Sequence, residues 1–189
     1  MSERIRCFVA VTIDAAISRR LEREIGYFQL AGADVKWVPR DSFHLTVSFL
    51  GDLEPELLID VEEQLEEAAQ GVARMKMMVR GVAALPDLDR PRVIAAGFDG
   101  DLDKFKNLQR DLKGRFRSLG IRADKKIFAA HVTLGRVRGD RHLDELKTRL
   151  AKSLNRRFGM LSVTGVELYM SDQGPKGPIY TPLKRFSLI

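Results

Sequence analysis

Hydrophobic and polar residues alternate with two different periods along this chain, and the alternation sets out a series of strands and helices. The run Arg6-Cys7-Phe8-Val9-Ala10-Val11-Thr12-Ile13 carries few polar positions and reads as a buried strand. Ile17, Leu21, Ile25 and Phe28 then recur at helical spacing, with Asp14 or Ser18 as a cap and Gly32 as a stop. Val35 to Val38 is a short strand closed by Pro39. After the turn Arg40-Asp41-Ser42 comes a strand from Phe43 to Leu50, stopped by Gly51. Leu57, Val61, Leu65 and Ala68 form the stripe of a helix over about 56–70 that opens at Pro55. Strands follow over 75–85 and 92–98. A helix over 102–119 buries Phe105, Leu108, Leu112 and Phe116. A strand segment over 125–130 runs into a strand from His131, and a helix over 143–154 comes next. One strand over 158–170, a loop at 174–178 and a last strand over 179–188 complete the chain. The order strand-helix-strand-strand-helix-strand is given twice. It predicts an α+β protein of two sheets backed by helices, with no flexible linker between the halves.

Within that framework two stretches echo each other: His44-Leu45-Thr46-Val47 and His131-Val132-Thr133-Leu134. Side chains alternate across a strand, so His44 and Thr46 share one face while Leu45 and Val47 share the other. The same holds for His131 with Thr133 against Val132 with Leu134. Each strand therefore offers an imidazole and a hydroxyl on a common surface, backed by a hydrophobic layer. The chain has only three histidines, and two fall in this pattern. A lone strand histidine is ordinarily a hydrogen-bonded core residue; a matched pair facing one cleft is a kit for acid–base chemistry on a phosphoester.

Composition narrows the setting. A 189-residue chain that is 44% hydrophobic and 31% charged is long enough for a substantial core and is not a disordered sequence. No apolar run reaches the roughly 18 residues of a membrane span, and the N-terminus has no secretory pattern, so a cytoplasmic location is expected. The single Cys7 lies in an apolar run and is expected to be an inert buried thiol. Three histidines and one cysteine show no metal-ligand spacing, so neither a metal nor any other cofactor is expected. The net charge of +6 favours a polyanionic partner. Glu62, Glu63, Glu66 and Glu67 lie on one helix and read as its solvated face. Met75, Met77 and Met78 read as core filler.

Taken together, Val35-Lys36-Trp37-Val38, His44-Leu45-Thr46 through Phe49-Leu50-Gly51, Pro91-Arg92-Val93, His131-Val132-Thr133-Leu134-Gly135-Arg136 and Leu168-Tyr169-Met170-Ser171 resemble the RNA 2',3'-cyclic phosphodiesterases, also called 2'-5' RNA ligases, of the two-histidine phosphoesterase superfamily. The resemblance runs in order through nearly the whole chain. It implies one two-lobed domain over 1–189, with two pseudo-symmetric antiparallel sheets, helices outside and the active site between. It implies catalytic histidines at His44 and His131, phosphate-binding threonines at Thr46 and Thr133, and a basic substrate-binding residue at Arg136. His142 matches no motif and reads as a surface or helix-start residue.

The implied reaction is metal-free hydrolysis of an RNA 2',3'-cyclic phosphate end, such as that of a tRNA fragment, to a 2'-phosphate. Its ATP-independent reversal would give a 2'-5' ligation. The leaving oxygen is then the 3' oxygen, with His44 assigned as acid and His131 as base. Lys36, Arg40, Lys125, Lys126, Arg136 and Arg138 are candidates to rim the cleft, and Trp37 or Phe43 to stack a base. The chain is expected to work as a monomer with no obligatory protein partner. The competing readings are a phosphodiesterase for a small cyclic nucleotide or an ADP-ribose cyclic phosphate, a non-catalytic RNA- or nucleotide-binding relative, and a metallohydrolase.

Overall fold

The structure is a computed structural model, and it describes residues 4–122, 129–175 and 177–189. Strand β1 (Ile5–Thr12) leads into helix α1 (Ala15–Gln29), which starts directly after Asp14 and ends before Gly32, a glycine at φ +68°. Next come β2 (Val35–Trp37), a 3-10 turn (Arg40–Ser42), β3 (His44–Leu53), helix α2 (Leu57–Gln70) and β4 (Met75–Leu85). The second half holds β5 (Val93–Gly100), α3 (Leu102–Ser118), β6 (Val132–Val137), α4 (Leu143–Ser153), β7 (Arg157–Val163), β8 (Gly165–Gly174) and β9 (Gly177–Ser187). The α+β class holds, and every strand pair among the described residues is antiparallel.

The strands run in the order β7-β4-β5-β6-β3-β1-β8-β9, with β2 added beside β6. The centre of that order is its weakest join. Between β6 and β3 the ladder consists of the single pair Leu45–Val132. Its neighbours are paired at length, β1 with β3 from Ile5–Leu53 to Thr12–His44 and β5 with β6 from Val93–Arg136 to Ala96–Val132. The architecture is thus two half-sheets, β7-β4-β5-β6-β2 and β3-β1-β8-β9, curling away from a one-rung seam.

The helices cover the outer faces. α1 lies against β7 and α4 against β4, while α2 lies against β8 and β9 and α3 against β3. Alternation explains which residues they bury. Cys7, Val9 and Val11 of β1, Leu45 and Val47 of β3, and Val132 and Leu134 of β6 point outward into these helices and join one hydrophobic cluster through both half-sheets. Met75 and Met77 are buried there too. Cys7 is buried, and desolvation lifts its thiol to about 11, which leaves it protonated and inert at neutral pH.

Four sequence expectations change. Gly51 does not stop the strand that begins near Phe43: it pairs with Cys7, and β3 runs on to Leu53. The single strand over 158–170 is two, because β7 ends at Val163 on β4 and, after Thr164, β8 begins between β1 and β9 in the other half-sheet. A Cβ on Gly165 would stand 2.6 Å from the Phe186 carbonyl oxygen, so the sharp approach there needs glycine. The loop expected at 174–178 is a tight hairpin, with Gly174 already paired to Gly177. Of the segment expected over 125–130, residues 125–128 lie outside the described residues, and Ala129 and Ala130 belong to no strand. His142 stands at the start of α4, as read from the sequence.

Candidate active site

The face of the sheet opposite the helices carries the polar alternates. The antiparallel register of Leu45 with Val132, continued by one residue each way, sets His44 across from Thr133 and Thr46 across from His131. All four point away from the buried Leu45 and Val132. In a regular ladder the diagonal between the two imidazole positions spans about 7–8 Å, a gap that a phosphate group can occupy. Each threonine has an alanine as its partner on the other side: Ala10 pairs with Thr46 and Ala95 with Thr133.

Each ring is held the same way. His44 Nδ1 lies 2.8 Å from the carbonyl oxygen of Ser42, and His131 Nδ1 lies 2.7 Å from that of Ala129. A carbonyl only accepts, so Nδ1 carries the hydrogen and donates in both cases. The neutral ring therefore has its lone pair on Nε2, and a protonated ring presents an Nε2–H donor. Both hooks reach to the residue two positions upstream, immediately ahead of the paired part of the strand.

The surroundings of the two rings differ. His44 is walled by Phe8, with ring centroids 5.0 Å apart, and by Tyr180, whose ring stands edge-on at 5.1 Å. Phe8 is itself 3% exposed and stacks on Tyr169 at 5.2 Å. This burial pushes the His44 pKa below the ordinary imidazole value of 6.5. The hydrogen bond to Ser42 opposes the shift, and the charge of His131 across the seam adds to it. That electrostatic coupling fits two imidazoles facing one another. Beneath His44, its strand neighbour Thr12 donates to Glu167 at 2.8 Å, and Glu167 also accepts from Tyr169 and Arg185. This network ties β1, β8 and β9 together.

Tyr180 has no motif around it and was not a candidate on sequence grounds. It reaches the cleft because β9 folds back on β8, where it pairs with Ser171. Burial raises its phenol pKa, while the nearby positive charges of Arg136 and Arg6 pull it down. Arg136 therefore lies by the same wall. It pairs with Val93 on one side and Lys36 on the other, with its side chain exposed. Lys36 closes the far edge: a Cβ on Gly177, at the β8–β9 tip, would stand 3.5 Å from its Nζ.

The other candidates fall elsewhere. Arg40 is ion-paired with Glu22 at 3.1 Å and with Asp41. Lys125 and Lys126 lie outside the described residues. Phe43 is 5% exposed and belongs to the core. Trp37 stacks on Phe28 at 6.2 Å, and a Cβ on Gly135 would meet its ring at 2.8 Å. Phe43 is therefore not available to a base, while Trp37 is half-buried with one face on Phe28. Among the described residues, no group of three or more His, Cys, Asp or Glu side chains stands where it can hold a metal ion. No helix among them is long and apolar enough to cross a membrane.

Comparison with known proteins gives a concordant result. The family profile described as LigT like Phosphoesterase matches residues 11–95 and 100–180. The RNA 2',3'-cyclic phosphodiesterase of Archaeoglobus fulgidus is 34% identical over 185 residues, covering 96% of this chain and 99% of that protein. The protein of the same name from Methanothermobacter thermautotrophicus is 30% identical, covering 98% and 100%. Among solved structures, TT0787 of Thermus thermophilus superposes with a TM-score of 0.80 at 28% identity, covering 97% of this chain and 98% of that one. LigT of E. coli in its apo form gives 0.79 at 23% identity, covering 99% of both chains, which speaks for the fold alone.

Proposed function

The chain belongs to the LigT-like phosphoesterase family, and from that premise we propose that it hydrolyses RNA 2',3'-cyclic phosphate ends to 2'-phosphates, with His44 and His131 as its acid and base. The observation that supports this reading is the matched hook on the two rings, which occupies both Nδ1 atoms and so leaves Nε2 as the reactive nitrogen of each. The names of the relatives, RNA 2',3'-cyclic phosphodiesterases, supply the substrate class. Residues 1–189 are read as one two-lobed domain, supported by the hydrophobic cluster that runs through both half-sheets. Both histidines come from one chain, so a monomer suffices.

Water attacks the phosphorus of the strained ring. Neutral His131 takes a proton from that water at Nε2 as the P–O bond forms. Protonated His44 gives its Nε2 proton to O3' as the P–O3' bond breaks, and the phosphate stays on O2'. Thr46 and Thr133 donate to the two non-bridging oxygens, where negative charge grows in the transition state. Arg136 adds a fixed positive charge at the wall. Burial and the His131 charge oppose a protonated His44 in the empty cleft. A bound phosphate anion counters both and so favours the charged acid when substrate is in place. With a 5'-hydroxyl in place of the attacking water, the same steps join it to the cyclic phosphate through a 2'-5' linkage.

The test is an oligoribonucleotide ending in a 2',3'-cyclic phosphate, incubated with the protein in EDTA, alongside mononucleotide and ADP-ribose cyclic phosphates. Ring opening of the RNA with the phosphate retained on O2' is expected. An intact ring overturns the activity, and a 3'-phosphate product overturns the assignment of the leaving oxygen.

A further inference from the structure

Next to the cleft, where β5 begins and β6 ends, a groove of about 340 Å³ opens between Arg90, Pro91, Arg92, Val137, Arg138 and Leu143. It adjoins Arg136 along the chain. Val93 pairs with Arg136, and the next amide along, that of Val137, donates to the Arg92 carbonyl at 3.0 Å.

Two properties of the groove suit it to a polyanion. Its three arginines have fixed backbones: the Arg90 amide donates to Asp87 Oδ1 at 2.9 Å, that of Arg92 to the Leu85 carbonyl at 2.9 Å, and that of Arg138 to the Asp34 carbonyl at 2.9 Å. Yet among the described residues none of the three guanidinium groups has an ion-pair or hydrogen-bond partner. Elsewhere Arg80, Arg115, Arg149 and Arg185 are each committed to carboxylates. Asp89 and Asp140 also line the groove, but neither is ion-paired with these arginines, so three cations stand against two anions. The floor is apolar, from Pro91, Val137 and Leu143. Free guanidinium groups over an apolar floor suit a strand that offers a phosphodiester every few ångströms and a ribose or base between.

We propose that this groove binds the single-stranded RNA body upstream of the cyclic end, Arg90, Arg92 and Arg138 contacting its phosphodiesters. The inference rests on the hydrolytic reading above and names the part of the substrate that the histidine cleft does not touch. Strand β6 sets the geometry. From Thr133 to Arg138 the chain advances roughly 16 Å at about 3.3 Å per residue, so the groove meets phosphates beyond the terminal one. A mononucleotide cannot reach it.

The experiment compares a nucleoside 2',3'-cyclic monophosphate with oligoribonucleotides of increasing length ending in the same group, for the wild type and the R90A/R92A double variant. In the wild type KM falls as length grows. In the double variant that gain disappears, with KM for the longer oligomers rising several-fold while mononucleotide turnover is unchanged. The salt dependence of oligomer binding flattens by about 1.4 in log–log slope, at roughly 0.7 for each phosphate no longer neutralised. R90K/R92K keeps most of the length effect, which separates charge from folding. A length effect and salt slope equal to the wild type's overturn the groove while leaving the hydrolytic reading intact. An equal loss on the mononucleotide and the oligomers also overturns it, because the arginines would then act on the terminal phosphate or on the fold. Failure of the wild type on every cyclic phosphate strikes the activity itself.

Discussion

Leu45 pairs with Val132, and this one rung is the whole hydrogen-bonded ladder between the two half-sheets among the described residues. Both residues are fully buried, and each is flanked by the histidine and threonine of its own strand. The seam therefore sets the separation of the two imidazoles. Leu45→Ala should cost about 2–5 kcal/mol of stability, as expected for a large-to-small change in a core. It should also lower kcat beyond any unfolding, because the rings lose their register. Chemical denaturation with kinetics on the folded fraction checks both.

Removal of either imidazole should be severe. His44→Ala and His131→Ala are each expected to lower kcat about 10²–10⁴-fold, the usual worth of one positioned acid or base. RNA binding should change little. Two groups that act in one step are not additive, so the double variant should be scarcely slower than the worse single. Wild-type hydrolysis in both single variants would refute the site.

The pH profile should carry the signature of a buried acid. Burial holds His44 below 6.5 in the free protein, and a bound phosphate anion raises it. The alkaline limb of kcat/KM, which reports the free enzyme, should therefore lie at lower pH than the alkaline limb of kcat. An NMR titration of the His44 ring should move upward when inorganic phosphate is added. The same shift bears on stability. The folded form binds this proton less well than the unfolded chain, so stability is complete above 6.5 and falls as pH drops from there through the lowered value.

Gly135→Ala tests how Arg136 is placed. A new Cβ would meet Val35 at 2.7 Å and the Trp37 ring at 2.8 Å, pushing β2 off β6. Overpacking of this kind costs about 1–3 kcal/mol. Because Arg136 is the next residue and pairs with Lys36, KM should rise together with the loss of stability. Thermal melts and steady-state kinetics on the same variant decide this.

Exhaustive dialysis against EDTA should leave turnover unchanged. The donor set argues for this: two imidazoles with two hydroxyls already supply each proton and hydrogen bond the step needs, and no metal-ligating cluster stands beside them among the described residues. Loss of activity that returns with a divalent cation would favour the metallohydrolase reading.

The parts of this architecture legible in the sequence were those written locally. Alternation along His44–Val47 and His131–Leu134 is a property of neighbouring residues, and it placed four polar groups on one face before any coordinates. Tyr180 was not legible, because its position depends on β9 folding back over β8 and no local pattern records where a hairpin lands. A polar-face tyrosine in a strand close to two glycine–proline turns was the available hint. The packing of Trp37 was not legible either, because Gly135, far along the chain on the adjacent strand, makes the space against which the indole sits. The arginine groove escaped notice because Arg90 and Arg92 lie far along the chain from Arg138.

The identical tethers on the two rings bear on how the catalyst resets. In the proposed reaction, one passage of substrate leaves the former base carrying a proton and the former acid without one. Neither Nδ1–H changes in this exchange, so neither imidazole has to turn over or find a new partner before the next cycle. Recovery then requires only that the solvent swap protons at two Nε2 atoms, and until it does, the resting molecule is already primed to close the ring it has just opened.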